Sequence, residues 1–121
     1  MTTRSAYASP PDLHQAADDL HELQRRAAEL GPPRPPDPAR PLADYPRIPT
    51  RLCFLVARLM AQTFPELAMV GGHVSWTENG KSYAMVHAWN VRTNDGTIID
   101  SALNLPPTAT EVVYHRWSPK L

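Results

Sequence analysis

The chain has 121 residues with 12 basic and 12 acidic side chains, so its formal net charge is zero at neutral pH. That length suits one small domain rather than two independent cores, and the charge balance argues against a nucleic-acid or anionic-membrane binder working by bulk electrostatics. A single cysteine excludes an intramolecular disulfide framework and a multi-cysteine zinc site. The first residues, Met1 to Asp12, lack the apolar region of a signal peptide, and no apolar run approaches the roughly 18 residues of a membrane span. The expectation is a soluble, cytoplasmic protein with no membrane partner.

Residues 10–30 carry a helical pattern. Ser9 is placed to cap it, with Pro10 and Pro11 in a first turn where a missing N–H costs little. Leu13, Ala16, Ala17, Leu20, Leu23, Ala27 and Leu30 recur at three- and four-residue steps and line one face. Gly31 is the expected C′ residue, and Pro32 and Pro33 stop the helix. The stripe is narrow and rich in alanine, which predicts docking on a larger body. The opposite face, with Asp18, Asp19, Glu22, Arg25, Arg26 and Glu29, reads as solvated.

Much of the proline content is concentrated in residues 32–49, at Pro32, Pro33, Pro35, Pro36, Pro38, Pro41, Pro46 and Pro49. Regular helix and central strand are excluded there. The segment reads as an extended, stiff connector on the surface. Residues 1–49 are therefore taken as an N-terminal helix and proline-rich arm, and 50–121 as the core.

In the core, Thr50 is placed to cap a helix running to about Phe64, with Leu52, Leu55, Val56, Leu59 and Met60 on its buried face and Pro65 at its end. Leu67 to Trp76 reads as a strand, with Gly71-Gly72 marking a bulge or a close backbone approach. Glu78-Asn79-Gly80-Lys81 is a hairpin turn, Ser82 to Arg92 the partner strand, and Asn94-Asp95-Gly96 a second tight turn. Thr97 to Asp100 and Glu111 to Trp117 complete an antiparallel meander. The class is α+β, with a helix packed on a small antiparallel sheet.

Cys53 falls in the first turn of its helix, where free N–H groups and the positive end of the dipole favour a thiolate. An arbitrary lone cysteine is more often a small buried hydrophobe, so its position is what marks it. His87 lies mid-strand, sharing one face with Met85 and Trp89, while Val86, Ala88 and Asn90 share the other. Asp100 ends the next strand, and a tight turn between two short strands brings residues 87 and 100 side by side. A nucleophile at a helix start, a base on a strand and a carboxylate to orient that base are the parts of a thiol enzyme. Trp89, Trp76 and His73 are candidate walls of a substrate groove, against core filling for the tryptophans and a structural or solvated role for the histidine. Asn90 and Asn104 are further polar candidates.

Residues 48–103 resemble the transglutaminase-like superfamily. The matching segments are Leu52-Cys53-Phe54-Leu55-Val56-Ala57-Arg58-Leu59, Val86-His87-Ala88-Trp89-Asn90 and Asp95-Gly96-Thr97-Ile98-Ile99-Asp100-Ser101. Ala57 stands at a position usually small and Ser101 follows the Asp, while Arg51 stands where Gly is common. The resemblance implies a papain-like core with Cys53, His87 and Asp100 as catalytic residues, no metal and no organic cofactor. It also implies acyl transfer or amide-bond cleavage or formation through a thioester. The expected partner is a peptide, amide or carrier-bound acyl substrate; in so small a chain either a partner protein delivers it or the N-terminal arm completes the cleft. The competing reading is a non-catalytic binding module on the same fold. A metal site built on Cys53, His87 and Asp100 is disfavoured, because these three lack a close-spaced second ligand.

Overall fold

The computed structural model describes the backbone of residues 3–5 and 13–117 and the side chains of 17–117. The expected cap Ser9 and the first-turn prolines Pro10 and Pro11 lie outside the described residues. The element order is β1 (Thr3–Ser5), α1 (Leu13–Leu30), a 3-10 turn (Leu42–Asp44), α2 (Cys53–Thr63), β2 (Leu67–Glu78), β3 (Lys81–Arg92), β4 (Ile98–Ile99) and β5 (Thr110–Arg116). The fold is α+β.

The β2–β3 hairpin is the centre of the sheet. Asn79 and Gly80 both take positive φ, 49° and 77°, as a two-residue turn with right-handed twist requires. Pairing then runs without interruption from Glu78↔Lys81 to Leu67↔Arg92. The strand order is β1-β3-β2-β5, with β4 also on β3. This is not a simple meander. β5 returns to the far side of β2, and β1, outside the elements expected from sequence, pairs with β3 in parallel at Ser82–Ala84.

Gly71-Gly72 does not bulge the hairpin; the irregularity lies in the β2–β5 pairing, between Ser75 and Thr77. Gly72 instead permits a close approach. A Cβ there would collide with the His115 carbonyl of β5 and lie 2.8 Å from the Trp89 ring, so only glycine lets β5 and Trp89 close on this point.

The two faces of the sheet are packed differently. Ala88 joins Cys53, Val56, Ala57, Met60 and Phe64 of the α2 segment in one apolar cluster. Asn90 anchors the same face, its Nδ2 donating to the Ala57 carbonyl at 2.8 Å. On the other face Val74, Trp76 and Met85 pack with Tyr83, Tyr114 and the loop residues Leu103, Leu105 and Ala109. α1 docks more lightly than its stripe predicts: Leu23 is buried, but Leu20 is 42% exposed.

Residues 32–49 form neither α-helix nor strand, as their prolines require, yet they are more than a connector. Tyr45 and Ile48 enter the main apolar cluster. The Arg34 N–H caps the α2 carbonyl of Thr63 at 2.9 Å, and the Arg34 and Arg40 guanidinium groups lie 4.9 and 5.1 Å from the Phe64 ring centre. The buried Glu66 carboxylate accepts from Arg40 Nε at 3.0 Å, Tyr45 OH at 2.8 Å and Asp37 N–H at 3.2 Å. Burial favours its neutral form, but these bonds outweigh burial and bring its pKa from 4.5 down to about 2.

The depressed pKa means that the stability contributed by Glu66 is present above pH 4.5 and is lost as pH falls through about 2. Glu66→Gln is expected to destabilise the fold by about 2 to 3 kcal/mol at neutral pH. It should also flatten the acid limb of stability measured by urea unfolding at a series of pH values.

Candidate active site

Cys53 is the first residue of α2, with Leu52 at the N-cap position. The helix starts later than a Thr50 cap would place it. Thr50 acts one step back, its Oγ1 accepting from the Leu52 N–H at 3.2 Å. The first intrahelical bond runs from Val56 N–H to the Leu52 carbonyl, so the N–H groups of Cys53, Phe54 and Leu55 have no acceptor within the helix. Cys53 is 3% exposed.

His87 and Asp100 meet as the strand pattern predicts. β4 pairs Asn90 with Ile99, so the next step places Asp100 opposite Trp89, diagonal to His87 and on its face. The His87 Nε2 lies 2.8 and 3.0 Å from the two Asp100 carboxylate oxygens. Both side chains are buried. With Nε2 committed to Asp100, Nδ1 is the nitrogen left for Cys53, and it is buried without a closed hydrogen bond. Cys53 nonetheless acts on the ring. Burial disfavours the charged imidazole, but its hydrogen bond to Asp100 and then the proximity of Cys53, together with their charges, raise its pKa from 6.5 to about 9.

Residues with no evident signal in the sequence hold Asp100 in place. Tyr114 OH donates to its Oδ2 at 2.8 Å and the Leu103 N–H to its Oδ1 at 3.2 Å. Burial, then the charge and hydrogen bond of Asp100, push the Tyr114 phenol up, which keeps it a donor. Arg47 donates to the Asp100 and Leu103 carbonyls. The Ile48 and Thr50 N–H groups donate to the Ser101 and Ala102 carbonyls. These bonds tie the segment entering Cys53 to the segment leaving Asp100. Tyr114 reaches the site because β5 pairs it with Val74, which itself faces Met85.

A cleft of about 640 Å³ opens beside this group, lined by Trp76, Tyr83, Met85, His87, Pro49 to Arg51, Asn104 and Leu105 among others. Trp76 and Tyr83 stack with ring centres 5.8 Å apart. Of the expected groove residues Trp76 lines the cleft, as does the polar candidate Asn104. Trp89 does not: it is buried, with its ring 6.1 Å from His87 and edge-on to Tyr114 at 5.0 Å, and it supports the histidine from behind. His73 is also misplaced by the sequence reading. Gly72 is the residue opposite His87, so His73 faces the other side of the sheet, where it stacks on His115 at 4.3 Å. Cys53 itself does not line the cleft. Among the described residues no cluster of histidine, cysteine and carboxylate side chains fits a metal ion, and no helix is long and apolar enough to cross a membrane.

Comparison with known proteins finds no matching family model, no matching curated protein and no matching solved structure. The functional reading therefore rests on the geometry of the site.

A raised pKa means that the stability contributed by charged His87 is complete below pH 6.5 and lost as pH rises through about 9. NMR titration of the His87 ring should give a midpoint near 9 in the parent. The midpoint should fall towards 6.5 in Asp100→Asn, and by a smaller amount in Cys53→Ala, because Asp100 is the stronger of the two supports.

Proposed function

We propose that the protein is a cysteine-dependent acyl-transfer enzyme of transglutaminase-like, papain-like type, making or breaking amide bonds through a thioester on Cys53. The observation that carries this reading is the buried His87 ring, with Nε2 bound to Asp100 and Nδ1 unclosed, under the influence of a cysteine at the first position of a helix.

In this reaction the Cys53 thiolate attacks the acyl carbon, and the Cys53 N–H faces the developing oxyanion. The carbon–nitrogen bond breaks as the His87 imidazolium gives its proton to the departing amine. Water or a second amine then attacks the thioester while His87 takes its proton, and the carbon–sulfur bond breaks to restore the thiolate. Asp100 keeps the ring oriented and stabilises its charged form in both steps, and Tyr114 holds Asp100. The substrate is an amide, peptide or carrier-bound acyl group whose side chain enters the Trp76–Tyr83 cleft.

One observation favours a second reading, a binding module on the same scaffold: Cys53 is buried and absent from the cleft lining. The two readings separate on labelling by a peptide amide analogue carrying a thiol-reactive group. The enzyme reading expects labelling and turnover of a fluorogenic peptide amide at neutral pH, both abolished in Cys53→Ala, with turnover reduced about 100-fold or more in Asp100→Asn. Undiminished turnover in Cys53→Ala would remove Cys53 from the chemistry. An unlabelled, folded parent would favour the binding module.

A further inference from the structure

We propose that the outer end of the cleft is a subsite for a cationic substrate side chain, lysine or arginine, held by Glu78 beside the Trp76–Tyr83 wall. This rests on the acyl-transfer reading of the same cleft and names the class of its substrate. Alternate residues of the hairpin carry the cleft along one face of the sheet. His87, Met85 and Tyr83 follow one another on β3, Trp76 stands opposite Tyr83 on β2, and Glu78 lies two residues further on. Four strand residues separate His87 from Tyr83, or about 13 Å. The cleft is therefore a track with the reacting groups at one end and Glu78 at the other.

The two ends differ in charge. Arg51, two residues before Cys53, and His87 belong to the reacting end. Glu78 is the acidic group at the hairpin end, and Asp19 of α1 adds a second carboxylate to the lining. Glu78 is half-buried, and its Oε1 accepts from the Trp76 Nε1–H. That bond fixes the carboxylate at the edge of the aromatic pair, so little side-chain freedom is left to lose on binding. Lys81, its partner across the turn, is exposed, lies outside the cleft lining and forms no ion pair with it. An anchored carboxylate at the rim of an aromatic surface suits a long basic side chain, whose methylene stem lies on the rings while its charged head meets the carboxylate. An acidic side chain would meet like charge there. An extended chain advances about 3.3 Å per residue, which sets the basic residue two to four positions from the acyl carbon.

Calorimetric binding to the full chain carrying Cys53→Ala tests the subsite without turnover. The probes are alanine-based peptide amides with one arginine two, three or four residues to either side of a central amide, each matched by a twin with neutral citrulline. At least one arginine peptide should bind roughly ten-fold tighter than its twin. Adding Glu78→Gln, whose amide oxygen still accepts from the Trp76 indole, should bring that ratio close to one. Adding Glu78→Lys should reverse the preference in favour of a glutamate twin. Equal binding within every pair, or no binding, would overturn the proposal, as would an arginine preference that survives Glu78→Gln. Turnover by the parent separates this from the reading beneath it. Charge-selective binding without turnover keeps the subsite and removes acyl transfer, whereas turnover indifferent to charge removes the subsite alone.

Discussion

The site depends on one constraint: an imidazole and a carboxylate must be buried together and still find partners for their polar atoms. Burial alone would expel the charge from His87. The Asp100 carboxylate reverses that outcome, and it does so because Tyr114 and the Leu103 N–H hold both of its oxygens towards the ring. The elements around it follow from this requirement. β4 delivers Asp100 to the His87 face, β5 delivers Tyr114, and the 103–109 loop packs Leu103, Leu105 and Ala109 on Val74, Trp76 and Met85 of the same sheet face.

The proline-rich segment has the second positioning role. Its prolines prevent it from forming helix or sheet, which leaves its N–H and side-chain groups for the rest of the fold. At one end it clamps Phe64 and Glu66 beyond the C-terminus of α2. At the other it bonds to Ser101 and Ala102, immediately before Cys53. α2 is thereby held at both ends, and its first residue is fixed against the loop that carries Asp100.

Local chemistry made much of this legible from the sequence. The Asn79-Gly80 turn, the alternation of β3 and the Cys, His, Asp order each rest on a few adjacent residues. The same turn also implied that Gly72, not His73, opposes His87, so the position of His73 was available from register counting. Non-local pairing was not legible in this way. Nothing near Tyr114 shows that β5 will cross to the far side of β2, and nothing near Tyr45 or Ile48 shows that a proline-rich stretch will enter the core. The light docking of α1 has a similar origin, since periodicity gives a face but not the extent of the surface that receives it. The start of α2 shifted because Thr50 bonds to the Leu52 N–H, a local turn that precedes the helix.

The central claim is that Cys53, His87 and Asp100 act as one acylation unit. Intact-protein mass spectrometry after incubation with an activated acyl donor, followed by peptide mapping, tests it most directly. The account predicts a single acyl adduct on Cys53 that hydroxylamine releases, as a thioester requires, and that fails to form in His87→Ala. A chain that remains unmodified, or an adduct that forms equally well without His87, would contradict it.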